Sequence, residues 1–557
     1  MKKATYNKLQ GLKNKIQSLE KELEAARQNL AGKSDSIPVG NSQKKTDEPE
    51  IIWVNESDIE SDLSELEDNL FVKSQNYDDK CKTINGAATE ESTDNNCLNL
   101  FSTIGAFRNS NFYDIKNLFI RAFAEDNDLA VKILFYARDI REGLGERKTF
   151  RNILSEGLAA LSKESVIKNF DNIVAFGRYD DLLCLLNTSV EKEVIEYISK
   201  QFTKDLNTPE GELVSLLGKW LPSINTSSEL SRASARKLAK AFGMNNGEYR
   251  KATAKLRNRI KIIENYLREK DYSFDYSKQT SYSMLKYRKA FIRNDKERYQ
   301  DYINAVNMGF AKLNTKVLYP YDVVRPLIVG DVRNVSKEEK ESLDVTWKNL
   351  PDYTTNENAI VVADCSGSMT CGGSPEPICV ALSLALYFAE RNKGLFADRF
   401  ITFSENPKLV EIKGKNLFDK LQYCMTYAEC ANTNIQKVFK KVLDTAIANK
   451  APQEEMPARI YIISDMEFDC CAEDSSISNF KYAKKLFEEN GYKLPQLVFW
   501  NVNSLSRQFP VRKDEKGVIL VSGCSPTIFK TVMSQDTDPY HYMMEVLDSP
   551  RYADIKA

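Results

Sequence analysis

The chain of 557 residues contains a single histidine, His541. Histidine is the commonest general base and a frequent zinc ligand, so its near absence argues against histidine-dependent catalysis and against a zinc cluster. Eleven cysteines are present, but none has Cys-x-x-Cys spacing. An odd number of dispersed cysteines is typical of reduced thiols and not of a disulfide framework. We therefore expect a cytoplasmic protein.

The sequence also lacks an apolar run long enough to cross a bilayer, so we expect no membrane association. The N-terminus is lysine-rich and amphipathic, which does not match a signal peptide. The net charge of −1 indicates no partner, because acidic and basic residues are segregated along the chain. With 42% hydrophobic residues, a chain of this length has enough apolar side chains for more than one domain.

Two segments precede the first predicted domain. In residues 1–31, apolar side chains recur at three- and four-residue spacing from Leu9 to Leu30, which predicts a short coiled coil. This segment would make the protein a homo-oligomer, or it would be a lone amphipathic helix. Residues 32–97 have few apolar positions and an acidic run from Asp47 to Asp68, which predicts a disordered tether.

The rest of the chain divides into two parts with different periodicity. Residues 98–345 show serial amphipathic helices without a fixed period, which predicts an all-α domain of divergent, HEAT-like helical repeats. In residues 356–540, short β-rich runs alternate with helices, which predicts an α/β doubly wound domain with a mostly parallel sheet. Residues 541–557 form a C-terminal tail in this scheme.

Three loops of the α/β part carry oxygen ligands. Asp364, Ser366 and Ser368 follow the apolar run 359–363, and Asp465 follows the run 460–463. Thr433 lies just before a predicted helix. Two carboxylates and three hydroxyls at one sheet edge suit Mg²⁺ or another divalent cation, and neutral hydroxyls leave the ion ready for an additional anionic ligand. For the first loop alone, the two serines could instead cap the following helix.

The helical part contains a basic tract between residues 232 and 268, and a second basic stretch between 286 and 293 in which aromatic residues alternate with cations. Cations for phosphates and rings for bases are what single-stranded nucleic acid requires. Tyr287 and Phe291 are four residues apart, however, so a buried helix face explains them equally well. The candidate nucleic-acid-binding residues are Arg236, Lys237, Arg257, Arg259, Arg288 and Arg293.

These motifs resemble known families. Residues from about 356 to 535 are similar to a von Willebrand factor A domain with a metal-ion-dependent adhesion site, whose loops match Asp364, Ser366, Ser368, Thr433 and Asp465. Helical repeats followed by such a domain resemble the Ro autoantigen (TROVE) architecture. More closely, the chain resembles an uncharacterised Ro-like family of plants, fungi and giant DNA viruses over residues 100 to 540. The matching segments are 138–148, 175–183, 215–222, 249–264, 275–293, 318–324, 360–369, 464–469, 497–503 and 518–525.

The Ro resemblance implies a helical ring that binds small structured or misfolded RNAs. We therefore expect a non-enzymatic RNA-binding scaffold whose metal site docks an anionic ligand, in the host cytoplasm or virion if the protein is viral. The alternative is a protein-interaction or virion-associated structural module, in which the metal takes an acidic protein ligand and the coiled coil organises an assembly. A phosphoryl-transfer enzyme is disfavoured, because the sequence has no Walker loop and no evident catalytic base.

Overall fold

A computed structural model describes residues 80–83, 88–108, 111–260, 262–329, 332–354, 358–370, 373–393, 396–428, 434–468, 479–504, 508–532 and 537–557. All of them belong to one compact unit. The predicted coiled coil, residues 1–31, and residues 32–79 of the predicted tether lie outside the described residues. Within the described part of the chain, no helix has the length and apolar character that a membrane span requires.

The first half of the described chain is helical, as the 3.6-residue periodicity predicts. Side chains at the helix starts accept backbone hydrogen bonds, as Asp126 does from Leu129 N and Asn245 from Glu248 N. Its helices are α1 Asn96–Thr103, α2 Phe112–Glu125, α3 Asn127–Arg138, α4 Arg147–Ile153, α5 Ala159–Leu161, α6 Lys163–Lys168, α7 Phe170–Phe176, α8 Glu191–Asn207, α9 Leu217–Trp220, α10 Glu229–Ala241, α11 Asn246–Arg259, α12 Ile263–Glu269, α13 Ser281–Asn294, α14 Lys296–Asn307, α15 Pro320–Ile328 and α16 Lys337–Lys348.

A short hairpin precedes these helices, and a six-stranded sheet with covering helices follows them. The sheet order is β5-β4-β3-β6-β7-β8, parallel throughout except for the edge strand β5. The strands are β1 Lys80–Lys82, β2 Ala88–Glu90, β3 Ala359–Asp364, β4 Arg399–Phe403, β5 Leu409–Glu411, β6 Arg459–Ser464, β7 Gln496–Asn501 and β8 Val518–Ser522. The helices of this half are α17 Pro377–Arg391, α18 Leu417–Met425, α19 Ile435–Asn449, α20 Asn479–Glu489, α21 Ile528–Thr531 and α22 Pro539–Leu547. A helical region followed by an α/β region agrees with the predicted fold class, whereas the von Willebrand factor A assignment stays a prediction.

The two faces of the sheet belong to different cores. Val361, Tyr461 and Trp500 point into a cluster that also holds the buried side chains of the first helices, such as Leu134. Ile360 and its neighbours on the opposite face pack instead with α19 and α20. Because side chains alternate along a strand, one strand serves both cores. The helical half therefore shares a continuous apolar core with the sheet.

The helical half contacts the sheet near the beginning of its chain as well as near its end. Gly105, just after α1, donates its N–H to Ser522 Oγ at 3.0 Å. A Cβ atom at Gly105 would lie 2.7 Å from backbone atoms of Ser522 and Gly523, so only glycine allows this approach. Near the other end, Arg325 of α15 forms two hydrogen bonds to Glu376, the residue before α17, at 2.7 and 2.8 Å.

Residues 80–83 and 88–97 differ from the predicted disordered tether. Strands β1 and β2 pair antiparallel, and β2 continues into a backbone bridge between Glu90 and Phe509. Thr83 Oγ1 donates to the carbonyl of Phe468 at 2.6 Å. The low apolar content of this stretch concealed its order, because the strands are held by hydrogen bonds to residues about four hundred positions later, which local composition does not report.

Residues 541–557 are likewise more than a tail. Tyr552 and Ile555 are buried, and Arg551 forms a bidentate ion pair with the fully buried Asp139 at 2.7 and 2.8 Å. The backbone N–H of Ala557 donates to Asp128 at 2.7 Å. The C-terminal segment therefore fastens the α/β half to α3 and its following loop.

Candidate metal centre and basic surface

The first candidate metal loop follows β3. Asp364 is the last residue of the strand, where a buried apolar run delivers its carboxylate to the sheet edge. Its Oδ1 accepts a hydrogen bond from the N–H of Ser366 at 2.9 Å, and the hydroxyls of Ser366 and Ser368 lie 3.0 Å apart. The structure therefore brings the three residues of this loop together, as the sequence predicts.

The third loop follows β6, which pairs with β3 in parallel. Its Asp465 is buried, and Oδ1 accepts from the N–H of Glu467 at 3.3 Å, whereas Oδ2 is buried without a hydrogen-bond partner among the described residues. Met466 adopts a left-handed backbone with φ of 66°. That conformation is uncommon for a residue other than glycine, so this turn is held in place by its surroundings.

Ser464 was not predicted as part of the site. Its Oγ donates to Asp364 Oδ2 at 2.7 Å and accepts from the N–H of Met466 at 3.1 Å. It thereby connects the two carboxylate loops. Its position immediately before Asp465, at the end of an apolar run, was the signal available in the sequence.

The two carboxylates affect each other's charge. Burial, and then the nearby Asp465, raise the pKa of Asp364 to about 7. Burial also raises the pKa of Asp465. In both cases the carboxylate is unfavourable because it lacks water and a counter-charge. A cation between these side chains would supply that charge.

The described part of the site is incomplete in one respect. Thr433 lies outside the described residues. Among the residues that are described, no group of three or more histidine, cysteine, aspartate or glutamate side chains is placed to hold a metal. The candidate set therefore consists of two carboxylates and hydroxyls, a composition that fits Mg²⁺ and does not fit zinc.

Two of the predicted nucleic-acid-binding arginines hold the helical half together. Arg257 donates from Nε and Nη2 to the carbonyls of Gly218 and Leu221 at 3.0 and 2.7 Å. Arg259 donates to the carbonyls of Asp205 and Thr208 at 3.0 and 2.8 Å, and also to two carbonyls of the following loop. Each arginine therefore caps the C-terminal carbonyls of a neighbouring helix, α9 or α8.

Arg288 is also committed to an internal partner. It is buried on α13, and its Nε and Nη2 lie 3.0 and 2.6 Å from Glu339 Oε1 on α16. Lys237 is half-buried and forms an ion pair with Glu191 at 2.6 Å. Arg236 and Arg293 are exposed and have no ion pair within the described ranges.

Three further cations line the exposed side of α11. Arg250, Lys251 and Lys255 are exposed, and none has an ion pair to another described residue. Helix α10 packs against α11 and contributes the exposed Arg236 and Lys240. We call these five residues the basic surface. The sequence located the tract but not which of its cations are free.

Comparison with known proteins gives two family matches. Residues 83–213 and 199–357 match a domain of unknown function, DUF2828, and residues 358–548 match another, DUF7788. The boundary between the matches falls between the helical half and the sheet. The chain is also 28% identical over 507 residues to an uncharacterised protein of Acanthamoeba polyphaga mimivirus, covering 84% of this chain and 87% of the relative. A giant virus therefore encodes a related protein, in agreement with the predicted distribution.

The solved structures matched by the chain include one Ro protein. The match to the crystal structure of the Ro (RSR) protein of Deinococcus radiodurans covers 80% of this chain and 91% of the Ro chain, with 14% sequence identity and a TM-score of 0.33. That TM-score does not establish a common fold. The Ro resemblance consequently stays a prediction from the sequence.

Proposed function

We propose that the protein is a non-enzymatic scaffold that binds a divalent cation, Mg²⁺ by its ligand chemistry, and uses it to dock an anionic group. Asp364, Ser366, Ser368 and Asp465 would hold the cation, with Thr433 from the second loop. The observation that carries the proposal is the convergence of two buried carboxylates from neighbouring strands, one with a partnerless oxygen. A buried acceptor without a partner costs free energy that a cation would recover.

The docked group follows from coordination. Mg²⁺ takes about six oxygen ligands, and two carboxylates and three hydroxyls would supply five, so a carboxylate or phosphate oxygen of a ligand would complete the coordination. The cation would also relieve the unfavourable burial of Asp364 and Asp465. The site is thus a docking position for anions rather than a place where bonds are broken.

Calorimetric titration of the full chain with MgCl₂ and MnCl₂ tests the site. Asp364→Asn and Asp465→Asn should each abolish saturable binding, because each removes a carboxylate ligand. Asp444→Asn on the exposed side of α19 is the matched control and should bind as the wild type does. Unchanged binding in both site variants would eliminate the metal assignment.

We also propose that the basic surface holds the phosphate backbone of RNA. Its support is that five cations on two adjacent helices are exposed and unpaired within the described residues. Unpaired cations release their counterions when phosphates bind, which gives sequence-independent affinity. Arg257, Arg259 and Arg288 are not part of this surface, since their guanidinium groups serve internal partners.

A charge-reversal series tests RNA binding. Arg250→Glu, Lys251→Glu and Lys255→Glu together should reduce affinity for a labelled single-stranded RNA and lower its salt slope by about 2, at roughly 0.7 per phosphate contact. The matched control reverses Lys437, Lys440 and Lys441, which are exposed on α19. Equal loss in both triple variants would show only a general charge effect and would contradict the assignment.

The alternative, a protein-interaction or virion-associated module, uses the same cation with an acidic protein ligand. A glutamate-rich peptide titrated with Mg²⁺ and with EDTA separates the two readings. Magnesium-dependent peptide binding together with no RNA affinity would favour the alternative.

A further inference from the structure

A cavity of about 330 Å³ lies between α13 and α15, away from the metal loops and the basic surface. On α13, Tyr282 and Lys286 are four residues apart and therefore share one face. On α15, Asp322 and Arg325 face the same space, three residues apart. The remaining lining residues are Leu285, Arg288, Pro326 and Val329.

The cavity has cationic donors at its mouth, although its lining also holds the carboxylate of Asp322, which accepts from the N–H of Tyr319 at 3.0 Å. Arg288 is neutralised by Glu339, and Arg325 is paired through Nε and Nη2 with Glu376. Arg325 nevertheless keeps Nη1 without a hydrogen bond to any described residue, and its side chain is 41% exposed. Lys286 is exposed and has no ion pair in the part of the chain that the structure describes, and its Nζ lies 4.8 Å from the centroid of the Tyr287 ring. Lys286 and Arg325 can therefore both donate to an anion at the mouth.

An aromatic side chain on which a flat ring could stack lies beside Lys286. The side chain of Tyr282 is 58% exposed. Pro326 and Leu285 provide apolar walls next to it. Aromatic side chains that are accessible on one face stack with nucleobases irrespective of base identity.

Size and chemistry together select the ligand. A cavity of this volume is at the small end of ligand sites and has room for one nucleotide. We infer that the cavity binds a nucleoside monophosphate unit, with the phosphate on Lys286 and Arg325 and the base on Tyr282. The unit is either a free mononucleotide or a single nucleotide of an RNA strand. This site does not depend on the metal centre or on the basic surface.

The first experiment titrates the full chain with AMP, with ribose 5-phosphate and with adenosine. AMP should bind more tightly than either fragment, because only AMP has both the base and the phosphate. Tyr282→Ala should weaken AMP binding by roughly tenfold, the lower range of one lost stacking contact, while leaving ribose 5-phosphate unchanged. Lys286→Glu should abolish binding of both phosphates.

Lys441→Glu on α19 is the matched control. It makes the same charge change at an exposed position outside the cavity, so AMP should bind as before. Tyr282 and Lys286 are both exposed, and equal thermal midpoints for the variants and the wild type would show that folding is intact.

The second experiment separates the two sources of the nucleotide. If the nucleotide belongs to an RNA strand, Tyr282→Ala should weaken binding of a labelled ten-nucleotide RNA. If the ligand is a free mononucleotide, Tyr282→Ala should weaken binding of AMP alone. AMP binding through Tyr282 in a protein without RNA affinity would refute the RNA proposal and still support this site. If Tyr282→Ala and Lys286→Glu alter neither AMP nor RNA binding, the cavity site is refuted even when RNA binds elsewhere.

Discussion

The affinity of the proposed metal centre for Mg²⁺ should depend on pH, because Asp364 is buried. The pKa of this carboxyl is raised to about 7 in the metal-free protein, whereas the ion needs the carboxylate. About one-tenth of Asp364 is ionised at pH 6 and about nine-tenths at pH 8, so the apparent Mg²⁺ affinity should rise roughly tenfold over that interval. Calorimetry at both pH values measures the ratio.

The same titration also changes the stability of the metal-free protein. Its stability falls as the pH rises, whereas the Mg²⁺ affinity rises. A carboxyl whose pKa is raised from 3.8 to about 7 stabilises the fold while it is protonated. That contribution is fully present below about pH 4 and is lost as the pH rises through about 7, up to about 4 kcal/mol at 1.4 kcal/mol per pKa unit. Magnesium should therefore stabilise the protein against urea more at pH 8 than at pH 6.

Asp364→Asn isolates the cause. The amide keeps the shape of the carboxylate, and the Ser464 hydroxyl that donates to Asp364 can instead accept from it. The metal-free variant should be more stable than the wild type at pH 8, and it should show no magnesium response at either pH. Equal wild-type affinity at pH 6 and pH 8, or a variant less stable than the wild type at pH 8, would refute the reasoning.

Three other changes test the packing. Arg288→Leu should lower the free energy of unfolding by about 3 kcal/mol, because the buried Glu339 keeps only the exposed Lys289, 3.6 Å away, as a cation. The double variant with Glu339→Leu should lose less, and a loss equal to the sum of the single variants in urea titrations would contradict this. Arg551→Ala should lower the free energy of unfolding by about 2–4 kcal/mol, because the fully buried Asp139 loses the arginine that pairs with it. It should also increase hydrogen exchange in the C-terminal segment. Unchanged exchange would show that the ion pair is dispensable. Lys450→Gly should stabilise α19 by up to about 1 kcal/mol, because Lys450 has φ of 50° at the helix end, whereas Lys450→Ala should give no such gain in the thermal midpoint.

The placement of the two carboxylates of the proposed metal centre could be predicted because it depends on local pattern. Two uninterrupted apolar runs read as buried parallel strands, and the carboxyl ends of such strands meet at one edge of a sheet. Asp364 and Asp465 follow those runs directly. Their proximity needed only that β3 and β6 pair, which they do.

The roles of the arginines could not be predicted in the same way. Arg257 and Arg259 are held by backbone carbonyls 36 to 54 residues away, and a carbonyl has no identity in the sequence. Composition predicted that these cations are available to a ligand, but in the structure their guanidinium groups donate to carbonyls of the same chain. Tyr552 and Ile555 were missed for a related reason, since the surface that buries them comes from a distant part of the chain.

The contact between Gly105 and Ser522 has a consequence for synthesis. The two residues are 417 positions apart, so a ribosome adding about 5–20 residues per second needs roughly 20 to 80 s between them. During that time the apolar side chains that α1 buries in the finished protein, Leu98 and Phe101 among them, lack the sheet that covers them. The helical half must therefore emerge as an unfinished structure, and only translation of β8 allows it to close.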